Sequence, residues 1–305
     1  MSIAPLSAHE RQARLVALAA DVRPQLHRYC ARLMGSVIDG EDVVQDTLLR
    51  ALVALQDLDE LPPLRPWLFR VAHNRAMDLL RGRAVRETAP LDGAPDVDDS
   101  DRTDPMETLM RQEAVQTAVS RFADLPVMQR SVVVLKDVLD ESLAEIAALL
   151  DLTVDAVKAH LARGRARLRL LNALESAPAE AKPPSAAIAR YVTLFNEGNW
   201  DELRALLADD VKLSQSTHSL RVGRAEVGMF FTIYAQSPEV RLAPAWLEAQ
   251  EVVAVFDDHE QTRPSYVMWL QWQGGRITFI RDYRYVRYVV ADAELVLAAP
   301  LPSND

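Results

Sequence analysis

One stretch, Ser142 to Leu171, constrains this chain more than any other: SLAEIAALLDLTVDAVKAHLARGRARLRLL. Ser142 followed by Glu145 is a capping box, in which each side chain satisfies a backbone donor of the other residue. It predicts a helix whose apolar positions Leu143, Ile146, Ala147 and Leu150 share one face. Asp151-Leu152 reads as a tight turn. Thr153 is a second N-cap, and Asp155 sits in the first turn, where negative charge suits the helix dipole. The second helix is expected to bury Val154, Val157, Leu161 and Leu168. Outside lie two basic stripes: Lys158, Arg165 and Arg169 on one, His160, Arg163 and Arg167 on the other. No acid occurs between Asp155 and Glu175. Two short helices joined by such a turn predict a helix-turn-helix, whose second helix would enter a DNA major groove N-terminus first.

A length of 305 residues gives room for two or three domains with proper cores. The net charge of -10 argues against indiscriminate binding to nucleic acid, but the charge is segregated, and the local field matters more than the sum. The longest apolar runs are too short to span a bilayer and no signal peptide opens the chain, so a cytoplasmic protein with no membrane partner is expected. Cys30 is the only cysteine, which excludes an intrachain disulfide or a cysteine zinc site. Its helical spacing with Leu26, Tyr29 and Leu33 places it in a core.

Upstream, Val22 to Met34 follows helical spacing and Gly35 closes it. Glu41 to Leu55 forms a clearer helix with a buried stripe of Val44, Leu48, Ala51, Leu52 and Leu55. Asp42, Gln45 and Asp46 fall together on another face. Gln56 to Arg65 contains Pro62-Pro63 and reads as a loop, and Pro66 opens the next helix in its first turn. That helix, PWLFRVAHNRAMDLLRGR, is expected to bury Leu68, Val71, Ala72 and Leu79. Arg70, Asn74, Asp78 and Arg81 line another face, with Arg75 and Arg83 nearby. Trp67, Phe69 and His73 lie among these cations. Aromatic rings can stack on unpaired bases while cations hold phosphates. Trp67 and Phe69 are equally good core residues, and that role is expected for at least one.

In this order the segments resemble bacterial sigma factors of the extracytoplasmic-function group. DVVQD at Asp42–Asp46 is similar to that family's polymerase-clamp motif. PWLFRVAHNRAMDLLR at Pro66–Arg81 is similar to its promoter-melting and minus-ten-reading helix. Leu125 to Leu168 is similar to its fourth-region helix-turn-helix, which reads the minus-thirty-five element. The resemblance implies a region 2 helical bundle over 8–88, an acidic flexible linker over 89–112, and a region 4 helix-turn-helix over 113–172. It implies core RNA polymerase (clamp helices and flap) and promoter DNA as partners, and promoter-specific initiation as the function. It assigns Asp42, Gln45 and Asp46 to polymerase. Trp67, Arg70, Asn74, Arg75, Asp78, Arg81 and Arg83 go to the minus-ten element. Thr153, Lys158, His160, Arg163, Arg165 and Arg167 go to the minus-thirty-five element. Neither a cofactor nor a metal is implied. Two departures stand out: Asp151 where a glycine is usual, and Ala159-His160 in place of a Ser-Arg pair. Asp tolerates the left-handed region, so the first is structurally acceptable. The second bears on which promoter is read.

The linker ETAPLDGAPDVDDSDRTDPMET is rich in Asp and Pro, which predicts a solvated tether. A second Ala/Pro linker over 173–186 leads to a segment of different texture. Ile188, Tyr191, Val192 and Phe195 predict an amphipathic helix, and Trp200, Leu203, Leu206 and Leu207 continue the helical pattern. Val211 and Leu213 begin a strand. Arg224 to Ala235 is expected to bury Val227, Phe230, Phe231 and Tyr234. Ser265 to Trp272 and Arg276 to Tyr288 read as strands joined at Gly274-Gly275. This texture predicts an α+β layer. YVTLFNEGNWDELRALLADDV resembles the opening of the SnoaL-like family, and the resemblance over most of 187–290 implies a cone-shaped domain, 187–298, acting as a fused regulator by docking within the chain. FIRDYRYVRYV, Phe279 to Val289, is similar to that family's final long strand. Asp209, Asp210, His218, Asp282 and Tyr283 are the candidates for a carboxylate site with a Tyr or His partner. Arg281 and Arg284 flank Asp282, which favours an outward charge pair, and His218 stands alone. No catalytic constellation is expected. The fold class is therefore multidomain: two all-α domains and a C-terminal α+β domain.

Overall fold

The computed structural model describes residues 8–55, 62–84, 105–174 and 182–298, except 217, 238, 249 and 259. The chain divides into two compact units, Met1–Glu175 and Ser176–Asp305.

The first unit is helical. Helix α1 spans Ala8–Met34 and ends where Gly35 takes a φ of 74°. Ser36 then caps α2, Val37–Ala54, by accepting from the Asp39 amide. The two helices cross closely: a Cβ on Gly40 would lie 2.5 Å from the Ala31 backbone. Helix α3, Leu64–Ala84, carries Pro66 in its first turn. Helix α4 is Pro105–Gln116, followed by a 3-10 turn, Val119–Asp124, and α5, Val127–Val133. The expected acidic linker therefore becomes helix from Pro105 on, while its residues 89–104 lie outside the described residues. Val134–Val138 forms a turn of π-helix, with the Leu139 amide bonded to the Val134 carbonyl. Helices α6, Leu143–Leu150, and α7, Val154–Ala173, follow. Of the segments read as interhelical loop and second linker, 56–61 and 175–181 lie outside the described residues.

The two helical segments expected as separate domains share one core. Leu26, Tyr29, Leu33 and Phe69 of α1 and α3 pack in the same cluster as Phe122, Val132, Ile146 and Leu161. Cys30 is in that cluster, and burial pushes its thiol well up. Arg130 of α5 crosses between the halves. Its guanidinium donates to the carbonyls of Leu33 (2.5 Å), Ala123 (2.6 Å) and Leu125 (2.9 Å), and burial lowers it to about 10.

The second unit begins with α8, Ala186–Asn196, capped by Ser185, and α9, Trp200–Ala205, capped by Asn199. Strand β1 is Leu207–Gln215, so Leu207 starts the strand instead of ending the helix. Then come β2 (Arg221–Val222), α10 (Arg224–Ala235), β3 (Arg241–Leu247), β4 (Gln250–Phe256), β5 (Tyr266–Gln273), β6 (Arg276–Asp282) and β7 (Leu295–Leu297). The described strands form one sheet in the order β2-β1-β6-β5-β4-β3-β7, antiparallel except for the β1/β6 pair. Val227, Phe230, Phe231 and Tyr234 of α10 are buried as the spacing predicts. Gly274 and Gly275 both take positive φ in the β5–β6 turn, as a two-residue hairpin requires. The expected long final strand is not formed. β6 ends at Asp282, where the Asp282 carboxylate accepts from the Arg284 amide, and a 3-10 turn follows at Arg287–Val290.

Candidate nucleic-acid and polymerase interfaces

The capping box is present in full. Ser142 Oγ accepts from the Glu145 amide, and Glu145 accepts from the Ser142 amide at 2.9 Å. The Ser142 hydroxyl, which donates to Glu145 Oε2 at 2.7 Å, and then the Ser142 amide hold the Glu145 carboxyl below the usual carboxylate range. Asp151 takes the left-handed conformation, φ 57° and ψ 48°, and turns the chain into α7. Thr153 Oγ1 accepts from the Ala156 amide at 3.1 Å. Ile146, Ala147, Leu150, Val157, Leu161 and Leu168 are buried, whereas Val154, expected inside, is 40% exposed beside the turn. Gly164 permits the α5–α7 crossing, since a Cβ there would lie 2.6 Å from Val133.

The basic residues of α7 divide into two sets. Arg167 is exposed, and Lys158, His160 and Arg163 are half-buried. Burial, and then the charge of Arg163, lowers the His160 pKa. Arg165 is committed elsewhere: its fork grips Asp137 at 2.6 and 2.9 Å, with Asp137 0% and Arg165 16% exposed at the side chain. Asp137 sits on the π turn, so the sequence expectation that Arg165 meets DNA gives way to a structural tie between that turn and α7.

On α3, Asn74, Asp78, Arg81 and Arg83 are exposed, Trp67 is half-buried against Leu15, Ala51, Leu55 and Leu68, and Phe69 is in the core. His73 is buried, 2.8 Å from the Tyr29 hydroxyl, and burial lowers it to about 4. Arg81 pairs with Asp78, Arg83 with Asp39, and Arg75 with Asp46. Asp46 also accepts from Arg50, and Gln45 donates to Glu41. Asp42, Gln45 and Asp46 share the partly exposed face of α2. Arg70 donates to the Ala148 carbonyl of α6, and Arg65 pairs with Glu141 while lying over the Phe69 ring. Between α3 and α6 these residues rim a cavity of about 180 Å³, walled by Phe69, Leu135, Ile146 and Leu149.

In the second unit the carboxylate candidates separate. Asp209 and Asp210 are exposed, and Asp209 pairs with Arg224. His218 is exposed and stacks on Tyr285. Asp282 is 0% exposed, which overturns its expected outward charge pair. It shares an inward face with Ile280, two residues away on β6. Its neighbours Tyr191, Tyr234 and Tyr266 were not anticipated as site residues.

The chain thus carries a capped helix-turn-helix with a basic second helix, preceded by an arginine-rich helix and an acidic helical face, the arrangement of a sigma-like protein. The chain matches Sigma-70 region 2 over residues 18–86, Sigma-70 region 4 over 117–168, and the SnoaL-like domain over 188–288. Sigma factor CnrH of Cupriavidus metallidurans is 36% identical over 44% of this chain and 73% of its own length. SigM of Mycobacterium tuberculosis is 37% identical over 50% of this chain and 74% of its own. The chain belongs to the extracytoplasmic-function sigma factors, a family that is not enzymatic. It is also 32% identical to SigG of Mycobacterium tuberculosis over 64% of its length, and that match spans 60% of SigG. Among the described residues no helix is long and apolar enough to cross a membrane.

Proposed function

We propose that this protein is a promoter-specificity subunit of bacterial RNA polymerase, acting in the cytoplasm, with its SnoaL-like domain regulating it in cis without catalysis. One observation carries the reading: behind the Asp151 turn, α7 presents Lys158, His160, Arg163 and Arg167 with no intervening acid. In this reading Thr153, Lys158, His160, Arg163 and Arg167 meet the minus-thirty-five element. Trp67, Arg70, Asn74, Arg75, Asp78, Arg81 and Arg83 serve the minus-ten element, and Asp42, Gln45 and Asp46 meet the polymerase clamp. Arg165 supports the helix from within.

The test is transcription with bare core polymerase. The full chain should start RNA synthesis at promoters selected by its own holoenzyme. Asp42→Arg, which places like charge against a basic clamp, should weaken core binding while leaving the fold intact. Truncation after Glu175 should change promoter-specific output in one direction or the other. A chain that binds such DNA alone and never directs core polymerase would be a simple repressor or activator instead.

A further inference from the structure

Where α3 meets α6 the helical unit holds a cavity of about 180 Å³. Its apolar lining belongs to the core: Phe69, Leu135 and Ile146 are buried, and Leu149 packs against them. An apolar cavity of about 150 Å³ holds benzene, so this one has room for a branched aliphatic group. Four charged side chains complete the lining: Arg65, Arg70, Glu141 and Glu145. Two of them satisfy each other. Arg65 donates to Glu141 at 2.5 Å and lies over the Phe69 ring, 5.1 Å from its centroid. The other two keep unused capacity. Arg70 gives an N–H to the Ala148 carbonyl and has no carboxylate partner among the described residues. A guanidinium has several more N–H groups to offer. Glu145 spends Oε2 on the hydroxyl and the amide of Ser142, which leaves Oε1 without a hydrogen-bond partner among the described residues.

We propose that this cavity binds a free apolar α-amino acid, with its carboxylate on Arg70, its ammonium on Glu145 and its side chain against Phe69, Leu135, Ile146 and Leu149. Charge and spacing both favour that class. The four charges of the lining cancel. A simple carboxylic acid would meet Arg70 and leave Glu145 unmatched, and an amine would do the reverse, whereas a zwitterion complements both. Ala148, which holds Arg70, lies three residues beyond Glu145 on α6, about one helical turn or ~5 Å away. The two charged groups of an amino acid share one carbon and span that gap with a hydrogen bond at either end. An apolar pocket with a few convergent polar groups is the usual form of a small-molecule site. The walls come from both halves of the unit, so an occupant favours the joined form over the parted one. Its consequence for polymerase rests on the proposed function; the binding itself does not.

The experiment titrates the full chain, labelled with carbon-13 at the isoleucine Cδ1 methyls, with L-leucine. Ile146→Val assigns the Ile146 signal. Leucine should shift that signal saturably and leave Ile188 and Ile280 of the second unit unmoved. 4-Methylpentanoate lacks only the ammonium and 3-methylbutylamine lacks only the carboxylate. Each should bind about tenfold more weakly than leucine, as loss of a hydrogen bond to a charged group implies. Glu145→Gln, which keeps the capping box, should abolish the preference over 4-methylpentanoate. Arg70→Met should abolish the preference over 3-methylbutylamine. Ala148→Phe, at an exposed position that lines the cavity, should block all three. At tenfold its dissociation constant, leucine should lower the affinity for core polymerase by up to about tenfold. A saturated Ile146 shift with unchanged core affinity overturns the effect on polymerase and leaves the site standing. Equal binding of leucine and its two analogues overturns the amino-acid assignment, and the lack of a saturable Ile146 shift up to the solubility of leucine overturns the site.

Discussion

The guanidinium of Arg70 in α3 donates to the carbonyl oxygen of Ala148, in the last turn of α6, at 2.7 Å. The last four carbonyls of a helix have no partner within it, so Arg70 acts as a cap supplied by the other half of the unit. The proposed promoter reading needs that same cation at the minus-ten element. By their numbering the two promoter elements lie about 25 base pairs apart, roughly 85 Å at ~3.4 Å per pair. In that proposed reading, halves joined by this bond, the Arg65–Glu141 pair and a shared core would not reach both elements, so promoter engagement would require the α3–α6 seam to part.

Glu141→Arg tests the seam. It sets like charge against Arg65, its partner at 2.5 Å. The Arg65 side chain is more than a third exposed, so the pair is worth only about 1 kcal/mol. The variant should exchange amide hydrogens faster along α6 and bind core polymerase up to about fivefold more tightly at low salt. Unchanged exchange together with unchanged core affinity would show that the seam is no barrier.

Arg165 and Arg167, two residues apart, should behave oppositely. Arg165→Ala leaves Asp137 buried without its ion pair and should cost about 3 kcal/mol or more in urea unfolding. Arg167→Ala should leave stability within ~0.5 kcal/mol. It should instead weaken binding to all promoter sequences alike, flattening the salt dependence by about one unit of slope. A stable Arg165→Ala protein with a flattened salt slope would reverse the two roles.

Two glycines give a further contrast. Alanine is favoured over glycine in a helix by about 1 kcal/mol. At Gly82 an added Cβ meets nothing within 4 Å, so Gly82→Ala should stabilise by up to that amount. At Gly40 it would meet Ala31 backbone atoms at 2.5 Å, which cannot rotate away. Forced separation of α1 and α2 should outweigh the propensity gain, for a net loss of about 1–2 kcal/mol in thermal unfolding.

Acidification should act on the two units in opposite senses. His73 is lowered to about 4 from the usual 6.5. The unfolded chain takes up its proton first, so the stability of the helical unit is full above 6.5 and falls as pH drops towards 4. Asp282 is raised to about 6 from the usual 3.8. Its contribution is full below 3.8 and is lost as pH rises through 6. Calorimetry of the full chain between pH 7.5 and 4.5 should show the helical unit losing stability relative to the SnoaL-like unit. His73→Gln should remove the first trend and Asp282→Asn the second.

What was legible in the sequence was local. Caps at Ser142, Thr153 and the Asp151 turn are written in adjacent residues, and each stands where the spacing put it. The α10 core face followed from period alone. Long-range pairings were not legible. Nothing near Arg165 announces Asp137, because a π turn 28 residues away aims it. Asp282 was misread because Arg281 and Arg284 outweighed its two-residue alternation with Ile280, which correctly marks the inward face. Strand β3 escaped a bounded prediction partly because Pro244 interrupts it. The fold tolerates that proline where the carbonyl accepts from Ala298 and the missing donor faces the end of the β7 ladder. The α1–α3 and α4–α7 segments were read as tethered domains, since no helical period reveals which two stripes will share a core.

In the proposed function, that shared core would govern how the chain obtains polymerase. Parting it exposes apolar surface on both halves, and only the parted fraction can bind, so apparent affinity scales with that fraction. Each ~1.4 kcal/mol of opening cost lowers it about tenfold. Where core enzyme is scarce, a protein so built waits behind competitors that are already open. Whatever holds its halves apart moves it up the queue without altering a single contact to polymerase.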